Sequence, residues 1–119
     1  PLMNGKFIPE DYYINDYHII RNFFENTVAI NFNHRWLATI TFLFTIFFVI
    51  YLYFKKKYIN YKLSILLIFL FAILQFFLGI LTLLTNVEIY LASLHQINSM
   101  LLLASFIFYY FSIKHGRIK

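Results

Sequence analysis

Three stretches of the chain run for about twenty residues without a Lys, Arg, Asp or Glu: residues 36–54, 63–85 and 91–112. Each matches the ~20 residues that a helix needs to cross a ~30 Å hydrocarbon core. Apolar positions within them are continuous rather than alternating. That pattern suits helices, which satisfy their own backbone in lipid, and not barrel strands. The connections are short, "KKKYINYK" after the first span and "NVEIY" after the second. Short connections make antiparallel neighbours. The predicted fold is an all-α membrane protein whose three transmembrane helices form part of an antiparallel four-helix bundle.

The first 33 residues precede the spans and are patterned differently. In "IPEDYYINDYHII", Pro9 followed by two acids predicts a helix opening. Tyr13, Tyr17, Ile20 and Phe24 then fall at i, i+4, i+7 and i+11, one helical face. "NFFE" predicts a fresh start, with Asn22 as N-cap and Glu25 closing a capping box. A helix from Asn22 through Phe54 would be roughly 50 Å long, so its first turns stand outside the hydrocarbon. The expected organisation is an external amphipathic helical segment over residues 1–33, lying along the membrane boundary. A three-helix transmembrane part follows over 34–119. The chain opens on "PLMNGKF" and reads as a stretch of a longer membrane protein.

Charge orients the spans. Lys55, Lys56, Lys57 and Lys62 lie between the first two, and Lys114, Arg117 and Lys119 follow the third. By the positive-inside rule these ends face the cytoplasm or matrix. All five acidic residues fall at the other ends. The net charge of +5 is thereby absorbed by topology, and nucleic acid is not an expected partner; the bilayer is. A hydrophobic share of 61% and a charged share of 13% exclude a soluble domain of this length. With no Cys, disulfides and thiolate metal sites are excluded too.

Against this background a few polar residues stand out. His34 and His95 each sit at the external end of a span, and those spans run parallel, so both imidazoles are expected at similar depth. His18 and His115 read as solvated or interfacial. On the first span His34 is followed by Ala38, Thr41 and Thr45 on one face. On the second, Gln75, Gly79, Thr82 and Asn86 share a face. On the third, His95 is followed by Ser99, with Asn98 beside it. Small-residue packing explains Gly79 and the threonines, but Gln75 and two matched histidines less well. Inward polar groups in a membrane bundle mark a site by default. Two imidazoles without carboxylate or Cys suit an iron porphyrin with two axial histidines. Zinc or di-iron would want more ligands. Gly79 would let a flat macrocycle near the backbone, and Arg35 would pair with its acid tails.

"PLMNGKFIP", "NFFENTVAINFNHRWLA" and "LQFFLGILTLLTNVEIYLASLHQ" resemble, in order, the C-terminal half of haem A synthases. The resemblance implies two fused four-helix halves that oxidise the C8 methyl of haem O to the formyl of haem A, for cytochrome c oxidase. It implies that haem O is handled by the other half. It also implies that a haem b is held in this one, by His34 of "FNHR" and His95 of "SLHQ". One position departs from the family's substrate half: a proposed catalytic glutamate is replaced here by Asn31. No catalytic residue is therefore expected in this stretch. The histidines alone equally allow a non-enzymatic membrane b-type cytochrome, and a structural assembly subunit is the third reading. An electron donor, haem O synthase or a second copy of the chain are the partners left open.

Overall fold

The computed structural model describes residues 3, 5–55 and 61–115. Lys56, Lys57, Arg117 and Lys119 of the basic ends lie outside the described residues. Four α-helices follow one another: α1 Ile19–Glu25, α2 Thr27–Phe54, α3 Lys62–Leu84 and α4 Ile89–His115. Among the described residues the remaining regular structure is a 3-10 turn at Glu10–Tyr12 and an isolated bridge between Met3 and Lys6. α2, α3 and α4 are each long and apolar enough to cross a membrane, as the sequence pattern predicts. The chain forms two compact units, Pro1–Thr41 and Phe42–Lys119, so that α2 contributes its first half to one and its second half to the other.

In the second unit α3 packs against α4. Partners pair Gln75 with Asn98 and Gly79 with His95, so sequence number rises on one helix as it falls on the other. The two helices are therefore antiparallel. Small residues let them approach. Ser64 and Ala72 of α3 and Ser105 and Ser112 of α4 are all buried. The Ser105 and Ser112 hydroxyls donate back to the Leu101 and Phe108 carbonyls at 2.8 and 2.7 Å. Their polarity is thus satisfied within the helix, and no water is needed. The second half of α2 adds Val49 and Leu52 to a core with Ile65, Ile68 and Tyr109. Phe42 stacks on Phe76 at 4.3 Å, and Phe48 meets Tyr109 edge-on at 6.0 Å. Outward, Phe44, Phe47, Leu103 and Ile107 are 60–74% exposed. Such surface costs roughly 2 kcal/mol per side chain in water and nothing in lipid.

The α3–α4 connection corrects one expectation. Asn86 does not continue the polar face of α3; it lies beyond the helix at φ 53°. The Val87 N–H bonds the Thr82 carbonyl at 2.8 Å, which makes the turn a Schellman stop with Asn86 at the left-handed position. Asn tolerates that conformation. Val87, at φ 63°, is β-branched and strained there.

The first unit corrects two more. The helix that Pro9 and the two acids predict stops after a single 3-10 turn. Asp11 is already non-helical, and Tyr13 and Tyr17 lie outside any helix. The cause is two asparagines. Asn22 Nδ2 donates to the Tyr12 carbonyl at 2.6 Å, and Asn26 Nδ2 donates to the Asp11 and Tyr12 carbonyls at 2.8 and 3.0 Å. Asn22 Oδ1 accepts the Ile14 N–H at 3.0 Å. Side-chain amides thus occupy the backbone groups a longer helix would need.

Asn22 is also not an N-cap. It sits inside α1, and Glu25 pairs with Arg21 at 2.7 Å instead of closing a capping box. The cap is one turn on: Asn26 Oδ1 accepts the Val28 N–H at 3.0 Å and the Ala29 N–H at 3.5 Å, opening α2. Ile20 and Phe24 do lie on α1 and are largely exposed.

Candidate functional site

His95 lies on α4, three residues before Asn98 and hence on the same helical face. That face looks at α3, where Gln75 and Gly79 are one turn apart. The Gln75 amide nitrogen is 3.3 Å from His95 Nε2. Asn98 Nδ2 donates to Gln75 Oε1 at 2.7 Å and to the Phe71 carbonyl at 3.0 Å. The imidazole lies over Gly79: a Cβ built there would stand 3.1 Å from His95 Cε1. Any side chain at position 79 would push the ring. Gly79 therefore makes room for the histidine itself, where the sequence suggested room for a macrocycle.

Thr82 continues this face of α3, with its hydroxyl donated to the Leu78 carbonyl at 2.7 Å. Ser99 turns outward and bonds the Gln96 carbonyl of its own helix at 2.6 Å. Asn98, buried, carries the role that the sequence pattern gave to Ser99. The signal was present: an amide three residues from a histidine, facing a second amide, in helices otherwise built of Leu, Ile and Phe.

In the first unit, His34 and Arg35 sit on the opening turns of α2. His34 is exposed and Arg35 half-buried. The surrounding segment is fixed by aromatic contacts. Phe7 packs on Trp36 at 5.2 Å and Tyr12 on Phe32 at 5.3 Å, while the Tyr12 hydroxyl donates to Asn33 Oδ1 at 3.0 Å. Three buried donors in this stretch, Asn33 Nδ2, Arg35 Nε and Trp36 Nε1, have no protein acceptor. Buried donors demand acceptors, and an Arg among them suits a carboxylate.

The other two histidines are exposed. His18 precedes α1 and is exposed. His115 stacks on Phe111 at 4.1 Å, with its Nδ1 3.1 Å from the Phe111 carbonyl. Among the described residues no three His, Asp or Glu side chains gather as a metal cluster. Taken separately, the imidazole seated on α4 in the second unit, and the exposed imidazole and unsatisfied guanidinium N–H on α2 in the first, are groups of the chemistry that an iron porphyrin with carboxylate tails would take.

The helices and this imidazole–amide network define a multi-pass membrane protein with a polar site in the α3–α4 pair. The chain belongs to the COX15-CtaA family of cytochrome oxidase assembly proteins, whose model matches residues 1–107. It is 46% identical over 107 residues to the heme A synthase of Pelagibacter ubique, covering 89% of this chain and 30% of that protein. The heme A synthase of Neorickettsia sennetsu is 35% identical over 104 residues, 87% of this chain and 30% of its own length. That of Bartonella quintana is 34% identical over 117 residues, 98% and 31%. The chain thus spans about three-tenths of the length of these curated relatives. No solved structure matches it.

Proposed function

We propose that this chain is the haem-b-holding part of a membrane protein that forms haem A from haem O, and that His34 and His95 would hold the haem iron. The observation that carries the reading is the seat for His95, where Gly79 yields space to an imidazole and Gln75 meets its Nε2. Relatives named heme A synthase over nearly the whole chain support it. In this reading Gly79 and Gln75 orient His95, and Thr82 extends the same face of α3. Arg35 neutralises propionates through the N–H that has no protein acceptor. The bound haem supplies a one-electron redox centre. Asn31 cannot accept a proton as a carboxylate would, so these residues bind and orient and do not abstract protons.

The test is to express the chain in a membrane that contains haem O and haem b, purify it and separate its pigments. Haem b should co-purify and haem A should stay at the empty-vector level. Haem A above that level would overturn the division of labour, and absence of any haem would overturn the binding role.

Arg35→Leu should lower haem retention, and Arg35→Lys should restore part of it by keeping the charge without the bidentate fork. Retention at the parent level in Arg35→Leu would reduce Arg35 to a membrane anchor.

Sidedness is proposed from the basic residues: the Lys62 end of α3 faces the cytoplasm or matrix, and the Glu88 loop faces the periplasm or intermembrane space. A cysteine replacing Glu88 should react with an impermeant thiol reagent added outside, and one replacing Lys62 should be shielded. The reverse pattern would refute the orientation.

A further inference from the structure

A chain of contacts that starts at a helix carbonyl sets the sense of the hydrogen bond at His95 Nε2. Phe71's carbonyl can only accept, so the Asn98 atom 3.0 Å from it is the amide nitrogen. That nitrogen spends its second hydrogen on Gln75, so the Gln75 atom 2.7 Å away is the carbonyl oxygen. The remaining end of the Gln75 side chain is then its NH2 group, and it points at His95 Nε2 at 3.3 Å. An NH2 group can only donate. Nε2 must therefore carry the lone pair, and in the neutral ring the proton sits on Nδ1.

The polarity of this chain is set by one fixed acceptor, a helix carbonyl, and each amide transmits it one step. Holding Asn98 in this sense leaves its Oδ1 buried without a protein partner. Turning over would cost more, because it would set that oxygen against the Phe71 carbonyl, so the amide is held in one sense.

We propose that Asn98 and Gln75 form a two-amide relay that keeps His95 in the Nδ1–H tautomer, with the Nε2 lone pair free of a proton and held by Gln75. The relay does for an iron ligand what an outer-shell partner ordinarily does by gripping the far nitrogen. Here the grip is on the ligating nitrogen itself. Nε2 has a single lone pair, so Gln75 holds it in the haem-free protein and gives it up as the metal bond forms. Gly79 fixes the ring's position, and the relay fixes its proton. Gly79, Gln75 and Asn98 are positioning residues acting through His95. The assignment of ligand function rests on the reading above; the tautomer does not.

The experiment reads the tautomer directly, in the haem-free protein as its gene encodes it. Nitrogen-15 NMR of histidine-labelled protein in nanodiscs, with His95→Ala to assign the resonances, distinguishes protonated from unprotonated ring nitrogens. The parent should show a protonated Nδ1 and an unprotonated Nε2 at His95. Gln75→Met, which keeps the shape and removes the donor, and Asn98→Leu, which frees Gln75 to turn over, should each shift His95 to a mixture of tautomers. A parent spectrum with the proton on Nε2 overturns the relay without reference to any variant. So does an unchanged tautomer in both folded variants. Haem b added to the same samples separates the two claims. A correct tautomer without a low-spin spectrum retires the haem reading and leaves the relay standing.

Discussion

Replacing His95 by Ala is expected to abolish the low-spin spectrum of the haem-loaded protein. The substitution removes one of two proposed axial bonds, and nothing nearby replaces it. Gln75 presents an NH2 group to that position, which is no ligand, and Asn98 is committed to Gln75 and the Phe71 carbonyl. With one imidazole lost, the haem would be held by a single histidine and its low-spin character would go with the missing bond. His34→Ala should have the same spectral effect. His18→Ala and His115→Ala should leave the spectrum unchanged, because His18 is exposed ahead of α1 and His115 stacks on Phe111. A normal spectrum in both His34→Ala and His95→Ala, read by optical absorption, would remove the ligand assignment.

The second large effect is expected at Asn26, far from any ligand. Its Oδ1 caps α2, while its Nδ2 holds two carbonyls of the preceding segment and also meets Asn22 Oδ1 at 3.0 Å. Asn26 is 4% exposed, so water cannot substitute. Losing the cap costs about 1 kcal/mol, and leaving buried acceptors unpaired costs about 1–3 kcal/mol more. Asn26→Ala should therefore open the segment from Asp11 to Tyr17 by roughly 3 kcal/mol, about a 100-fold faster protease cleavage or amide exchange there. The Ile14 amide, held by Asn22 Oδ1, is the reporter. Asn22→Ala should release the same amide. Exchange at Ile14 that stays at the parent rate in both variants would show that the two asparagines do not fix this segment.

These two sites also mark how far the sequence could be read. The three spans were legible because twenty uncharged apolar residues have few other fates. The ends of α3 and α4 followed from the polar loops between them. The N-terminal segment was legible only in part. Its aromatic spacing matched a helix, but Asn22 and Asn26 are four apart and reach backwards 8 to 15 residues. No local propensity encodes such long-range amide bonds. Glu25 completed a plausible capping box on paper while its carboxylate was committed to Arg21. At the site, the polar face of α3 pointed to Gln75 and Gly79, and the structure brings both to His95. What the pattern could not supply was which object fills the space over Gly79, because periodicity gives a face and not an occupant. It also could not rank Asn98 above Ser99: neighbours in sequence differ by 100° around a helix, and only packing decides which one is buried.

The most direct measurement of the central claim is electron paramagnetic resonance on the protein reconstituted with ferric haem b and carrying nitrogen-15 histidine. The account predicts a low-spin signal at one iron per chain, with hyperfine couplings from two imidazole nitrogens, one lost in His34→Ala and the other in His95→Ala. A high-spin signal in the parent, or couplings from a single imidazole, would contradict it.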